Sequence, residues 1–102
     1  MYLVQILLPL YDNAGQRFAQ DVYARVRDEL TERYGGITAY VRSPAEGLWK
    51  ESHSSTVQDD IVIYEVMTPR LDHEWWRAYR LELAARFRQE VLIVRVSEVQ
   101  LL

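Results

Sequence analysis

Residues 37–67, ITAYVRSPAEGLWKESHSSTVQDDIVIYEVM, hold two β-rich runs with no helical period between them. ITAYVR (37–42) and DIVIYEVM (60–67) are dense in β-branched and aromatic side chains, which suit a pleated, half-buried surface. The intervening SPAEGLWKESHSSTVQDD (43–60) carries one of three tryptophans and one of two histidines. A connection of that length without its own structure is uncommon in a compact domain, so it is either functional or partly ordered. GLWKE can extend the second strand past a bulge at Pro44–Gly47, pair near Val57, and carry Trp49 over the open end of a sheet.

Outward from these two strands, the chain alternates. Upstream, residues 2–10 form an aliphatic strand closed by Pro9 and the turn-forming Asp12-Asn13-Ala14-Gly15. From about Arg17 to Tyr34, Phe18, Val22, Val26 and Leu30 recur every four residues, with Arg25, Asp28 and Glu32 off the stripe. Gly35 and Gly36 stop that helix, because glycine accepts the left-handed backbone of a C-terminal cap. Downstream, Pro69 ends the third strand and Asp72 caps a second helix running to about Gln89. Trp76, Tyr79, Leu83 and Phe87 form its stripe, and Leu71 can staple onto Trp76. EVLIVRVSEV (90–99) is the fourth strand.

The order β-α-β-β-α-β in one domain, 1–102, predicts an α+β, ferredoxin-like fold. Right-handed crossovers place both helices on one face of a four-stranded antiparallel sheet of order 4-1-3-2. Side chains alternate along strands, so each strand sorts into two sets. Val4, Ile6, Leu8, Ile37, Ala39, Val41, Val62, Tyr64, Val66, Leu92, Val94 and Val96 are assigned to the helices. The other face then carries Leu3, Leu7, Ile61, Ile63, Met67, Val91 and Ile93, too apolar for a solvated sheet. Such a patch predicts a partner subunit over it, most simply in a twofold homodimer.

Four polar side chains fall among those aliphatics: Gln5, Arg42, Glu65 and Arg95. In the predicted strand order Gln5 lies between the strands carrying Arg95 and Glu65. A charge stranded in an apolar seam is costly, so these groups must find partners. They either form an ion-pair network that fixes dimer register or line a cleft that orients an anionic or carbonyl-bearing small molecule.

Several chemistries are excluded or left without support. The formal charge is −3, which disfavours nucleic acid because phosphate binding needs a basic field. The third strand also lacks the exposed aromatics and basic setting of an RNA-binding sheet. There is no cysteine, hence no disulfide, thiolate ligand or cysteine nucleophile. Ser43, Ser52, Ser54, Ser55 and Thr56 lie near His53 without a G-x-S-x-G turn. His53 and His73 lack the i, i+3 or i+4 companions of a metal site, so no metal and no cofactor is expected. The apolar N-terminus has no Lys or Arg before it and falls short of the ~20 residues that span a bilayer, so a cytoplasmic chain without a membrane partner is expected.

The blocks LLPLYDNAGQRF, RDELTERYGGITAYVRSPAEGLW, DDIVIYEVM and WWRAYRLELAARFRQEVLIVR resemble short bacterial proteins of unknown function, most specifically through GG-[IV]-T-A-Y-x-R-x-P-A-x-G-x-W. The topology is also similar to the dimeric α+β barrel superfamily, which includes monooxygenases and haem-related enzymes. The candidate site residues are Gln5, Tyr11, Tyr40, Arg42, Trp49, Glu65 and Arg95, with a mouth where 43–60 meets the end of the first strand. Two functions follow. One is a non-catalytic homodimeric module binding a small molecule or a protein partner. The other is a cofactor-independent monooxygenase- or isomerase-like enzyme. A dry, filled dimer seam over the sheet favours the first, and a pocket of ~300 Å³ or more with Arg42, Glu65 or Arg95 converging on it favours the second.

Overall fold

The computed structural model describes residues 1–42 and 61–102, with the side chains of residues 40–42 left aside. Its elements run β1 (Tyr2–Pro9), α1 (Gln20–Tyr34), β2 (Thr38–Arg42), β3 (Ile61–Thr68), α2 (His73–Arg86) and β4 (Ile93–Glu98). The strands form one antiparallel sheet in the order β2-β3-β1-β4. This is the expected α+β arrangement, consistent with a ferredoxin-like fold.

Both helices pack on one side. Val4, Ile6 and Leu8 of β1 and Val62, Tyr64 and Val66 of β3 join Val26, Leu30, Trp76, Leu83 and Phe87 in a single core cluster. The alternate positions of the central strands therefore sort as expected. The edges do not: Ala39 on β2 and Val96 on β4 are exposed, because two helices roof the central strands and leave the outer ones less covered. Ile63 departs the other way, being buried although it lies on the face away from the helices and outside the core cluster.

Local chemistry explains the boundaries. Helix α1 begins at Gln20 rather than Arg17, because residues 10–18 fold back on themselves first. The Asp12 carboxylate accepts from the amides of Ala14 (2.9 Å) and Gln16 (2.8 Å), Gly15 takes φ 81°, and the Phe18 amide donates to Leu10. Phe18 thus enters the core from the turn and meets Phe87 edge-on at 5.1 Å. The end of α1 closes on Gly35, at φ 82°, whose amide donates to the Thr31 carbonyl. The start of α2 is capped by Asp72, which accepts from the Trp75 amide at 3.1 Å. That helix stops at Arg86, short of Gln89, with Arg88 in the left-handed region at φ 53° and the Gln89 amide bonded back to Ala84.

Trp75 and Trp76 divide the labour of an adjacent pair on a helix. Trp76 is buried and lies face to face with Tyr34, while half-buried Trp75 stacks on Tyr79 and takes the Arg33 guanidinium over its ring at 4.2 Å. Among the described residues no helix is long and apolar enough to cross a membrane.

Candidate functional site

The open face of the sheet carries one polar row among aliphatic ones. Register places Thr38, Glu65, Gln5 and Arg95 side by side across β2, β3, β1 and β4. Strand alternation puts all four away from the helices. Rows of Leu7 with Ile63 and Ile93, and of Leu3 with Met67, flank them.

The row is hydrogen-bonded through its centre. Arg95 Nε donates to Gln5 Oε1 at 2.7 Å, and Gln5 Nε2 donates to Glu65 Oε2. The amide of Gln5 thus has its orientation set from both sides: oxygen toward the guanidinium, NH₂ toward the carboxylate. It relays between two opposite charges that would otherwise sit about two strand spacings, ~10 Å, apart at the backbone. The second oxygen of Glu65 and the terminal nitrogens of Arg95 have no hydrogen-bond partner among the described residues. The row therefore presents an acceptor at one end and donors at the other, within an apolar surround.

Glu65 also forms part of the wall of a hollow of about 350 Å³. Leu3, Tyr34, Gly36, Thr38 and Met67 complete most of that wall. Local structure builds the hollow: the α1 cap at Gly35 turns the chain sharply into β2, leaving space where a continuing helix would lie. The size lies within the range that holds small molecules. Of Glu65 and Arg95, the hollow takes Glu65; Arg95 lies on the far side of Gln5, and the Arg42 side chain is outside the described residues.

The predicted site residues fall into four groups. Gln5, Glu65 and Arg95 come together as the row. Tyr11 lies past the end of β1, bridged to Arg17 in the turn and packed against the core. Tyr40 and Arg42 pair through their backbones with Ile63 and Ile61 of β3, so Arg42 and the end of β1 do share one end of the sheet. Trp49, and with it the mouth and the possible strand extension, lies outside the described residues. What sequence reasoning missed is the hollow. Gly35-Gly36 was readable as a helix stop, but that Glu65 would line the space behind it depends on register.

Neither a protein-family model nor a curated protein matches the sequence. In fold, the chain is similar to a phage SAM lyase solved in complex with S-methyl-5'-thioadenosine, with a TM-score of 0.59 and 18% identity over 95% of this chain and 80% of that one. At that identity the likeness is one of fold.

Proposed function

We propose that the protein is a homodimeric small-molecule-binding module whose ligand sits against the open sheet face in the hollow beside Glu65. The observation that carries this is the Arg95–Gln5–Glu65 row, with one carboxylate oxygen that has no partner among the described residues. A carboxylate in apolar surroundings selects for a hydrogen-bond donor or a cation, since either restores what burial removes. Leu3, Met67 and the Tyr34 ring offer contact to an apolar or aromatic body. A compact cationic molecule with a flat ring system meets both demands. SAM, the substrate named for the structural neighbour, belongs to this class, and S-methyl-5'-thioadenosine, the ligand bound there, is its neutral counterpart, which supports the choice of probes.

The test is calorimetric titration of SAM, a sulfonium cation, and of neutral S-methyl-5'-thioadenosine into the wild-type protein and Glu65→Gln. The expected result is binding of both, tighter for SAM, with the preference for the cation lost in Glu65→Gln. A preference worth one charge-assisted hydrogen bond is about tenfold or more in affinity. Absence of binding by both nucleosides would remove this ligand class. Native mass spectrometry of the freshly purified protein, with no copurified small molecule, would then sink the binding reading itself.

A second reading is favoured by the neighbour's being a lyase. Here the same Glu65 would be a catalytic residue rather than an anchor. Chromatographic detection of S-methyl-5'-thioadenosine formed from SAM by the wild-type protein, and not by Glu65→Gln, separates an enzyme from a binding module.

A further inference from the structure

On the helix-covered side of the sheet, α2 and β4 border a separate cavity of about 140 Å³. His73, Trp76, Arg77 and Arg80 line it from the helix. Their spacing, i, i+3, i+4 and i+7, confines them to an arc of about 100°. Leu71 and Val94 supply apolar wall. Arg95 also borders the space, but its Nε is committed to Gln5 on the other face.

Two features distinguish this cavity from an ordinary solvated helix face. The ion pairs among the described residues engage Arg25, Arg33, Arg86 and Arg88; among those residues Arg77 and Arg80 have no counter-charge and no acidic side chain lines the space. The second feature is Trp76, whose ring is part of the wall and only 6% exposed. Its Nε1 is a buried donor without an acceptor among the described residues.

We infer that this cavity is an anion site for a small organic phosphate, independent of the site at Glu65. The phosphate lies between the Arg77 and Arg80 guanidiniums, where two fixed cations match two negative charges. An apolar substituent rests on Leu71, Val94 and the wall that the Trp76 ring forms.

The three tryptophan indole signals in a ¹H–¹⁵N spectrum test this, with that of Trp76 assigned by its loss in Trp76→Phe. Titration with phenyl phosphate is expected to move the Trp76 signal saturably. Inorganic phosphate should do the same with several-fold weaker affinity, because it leaves the apolar wall bare. Arg77→Ala combined with Arg80→Ala should weaken phenyl phosphate about tenfold or more. Arg17→Ala, on another part of the surface, should leave it unchanged. If the double variant fails to fold, Arg77→Gln, at an exposed position, should show a smaller loss in the same direction. No saturable shift, an equal loss in Arg17→Ala, or benzoate binding as tightly as phenyl phosphate would each overturn the proposal.

Discussion

Glu29 ties the two helices together through charge and hydrogen bonds. From α1 it accepts hydrogen bonds from Tyr79 (2.7 Å) and from both terminal nitrogens of Arg86 (2.9 and 3.2 Å), with Arg25 beside it at 3.4 Å. Burial alone would raise its carboxyl, but the bonds from Arg86 and Tyr79 and the charges of Arg86 and Arg25 overcome this and hold it below the usual range. Its partners respond: burial and the Glu29 carboxylate push the Tyr79 phenol well up. Replacing Glu29 with Ala leaves a phenol and a mostly buried guanidinium short of an acceptor, at a cost of about 2 kcal/mol. The sign with pH follows from the depressed carboxyl. Its contribution is present above the unfolded value near ~4.3 and is lost as pH falls through the lower folded value. Urea midpoints for wild type and Glu29→Gln should therefore differ at neutral pH and converge in acid. A gap that stays constant down to acid pH would show that the ionised carboxylate is not what holds the helices.

At the scale of elements, the end of α1 is both a fold determinant and the origin of the hollow. Gly35 has φ 82°, and a Cβ added there would meet nothing within 4 Å. The cost of Gly35→Ala is then purely that of a left-handed backbone, about 1 kcal/mol, or roughly a 5 °C fall in melting temperature for a domain of this size. Gly36 has no positive φ, so Gly36→Ala should change the melt little. Equal losses in paired thermal melts would remove the capping argument. This cap was plain in the sequence, as were the order of six elements, the Asp72 cap and the inward set on β1 and β3. Those signals are local or periodic. The start of α1 was not, because Phe18 continues the helical stripe although the Asp12 turn holds it in non-helical backbone. The polar row was anticipated because strand order and alternation alone bring Gln5 between Glu65 and Arg95. The cavity on α2 was missed for a different reason: the helix's own spacing does not show that β4 passes beside His73, Arg77 and Arg80.

The molecule as a whole has a face to hide. Met67 and Ile93 are each 51% exposed, on the side that the helices do not cover. That face carries both a carboxylate and a guanidinium, so it is complementary to a second copy of itself in a way that a face of single charge would not be. Four strands at ~4.8 Å spacing and ~20 Å long give a footprint of about 400 Å² per copy, more once side-chain relief is counted. Over both copies that is about 800 Å², which side-chain relief must raise toward the ~1,200 Å² where specific interfaces begin, so affinity depends on the few best-packed side chains. Ile93 is the sharpest place to test it, since it stands opposite Leu7 on β1 beside the polar row. A charge at its position would be stranded in an apolar seam in the dimer and solvated in the monomer. Sedimentation velocity over a concentration series should show the wild-type chain as a dimer at roughly micromolar levels. Ile93→Asp should move it to monomer by at least about a hundredfold in the dissociation constant, since stranding one charge costs several kcal/mol. Its thermal melt in dilute solution should change little, because the side chain lies outside the core cluster. A wild-type protein that sediments as a monomer throughout would refute the paired-sheet assembly, and an Ile93→Asp variant that still dimerises would place the interface elsewhere on the surface.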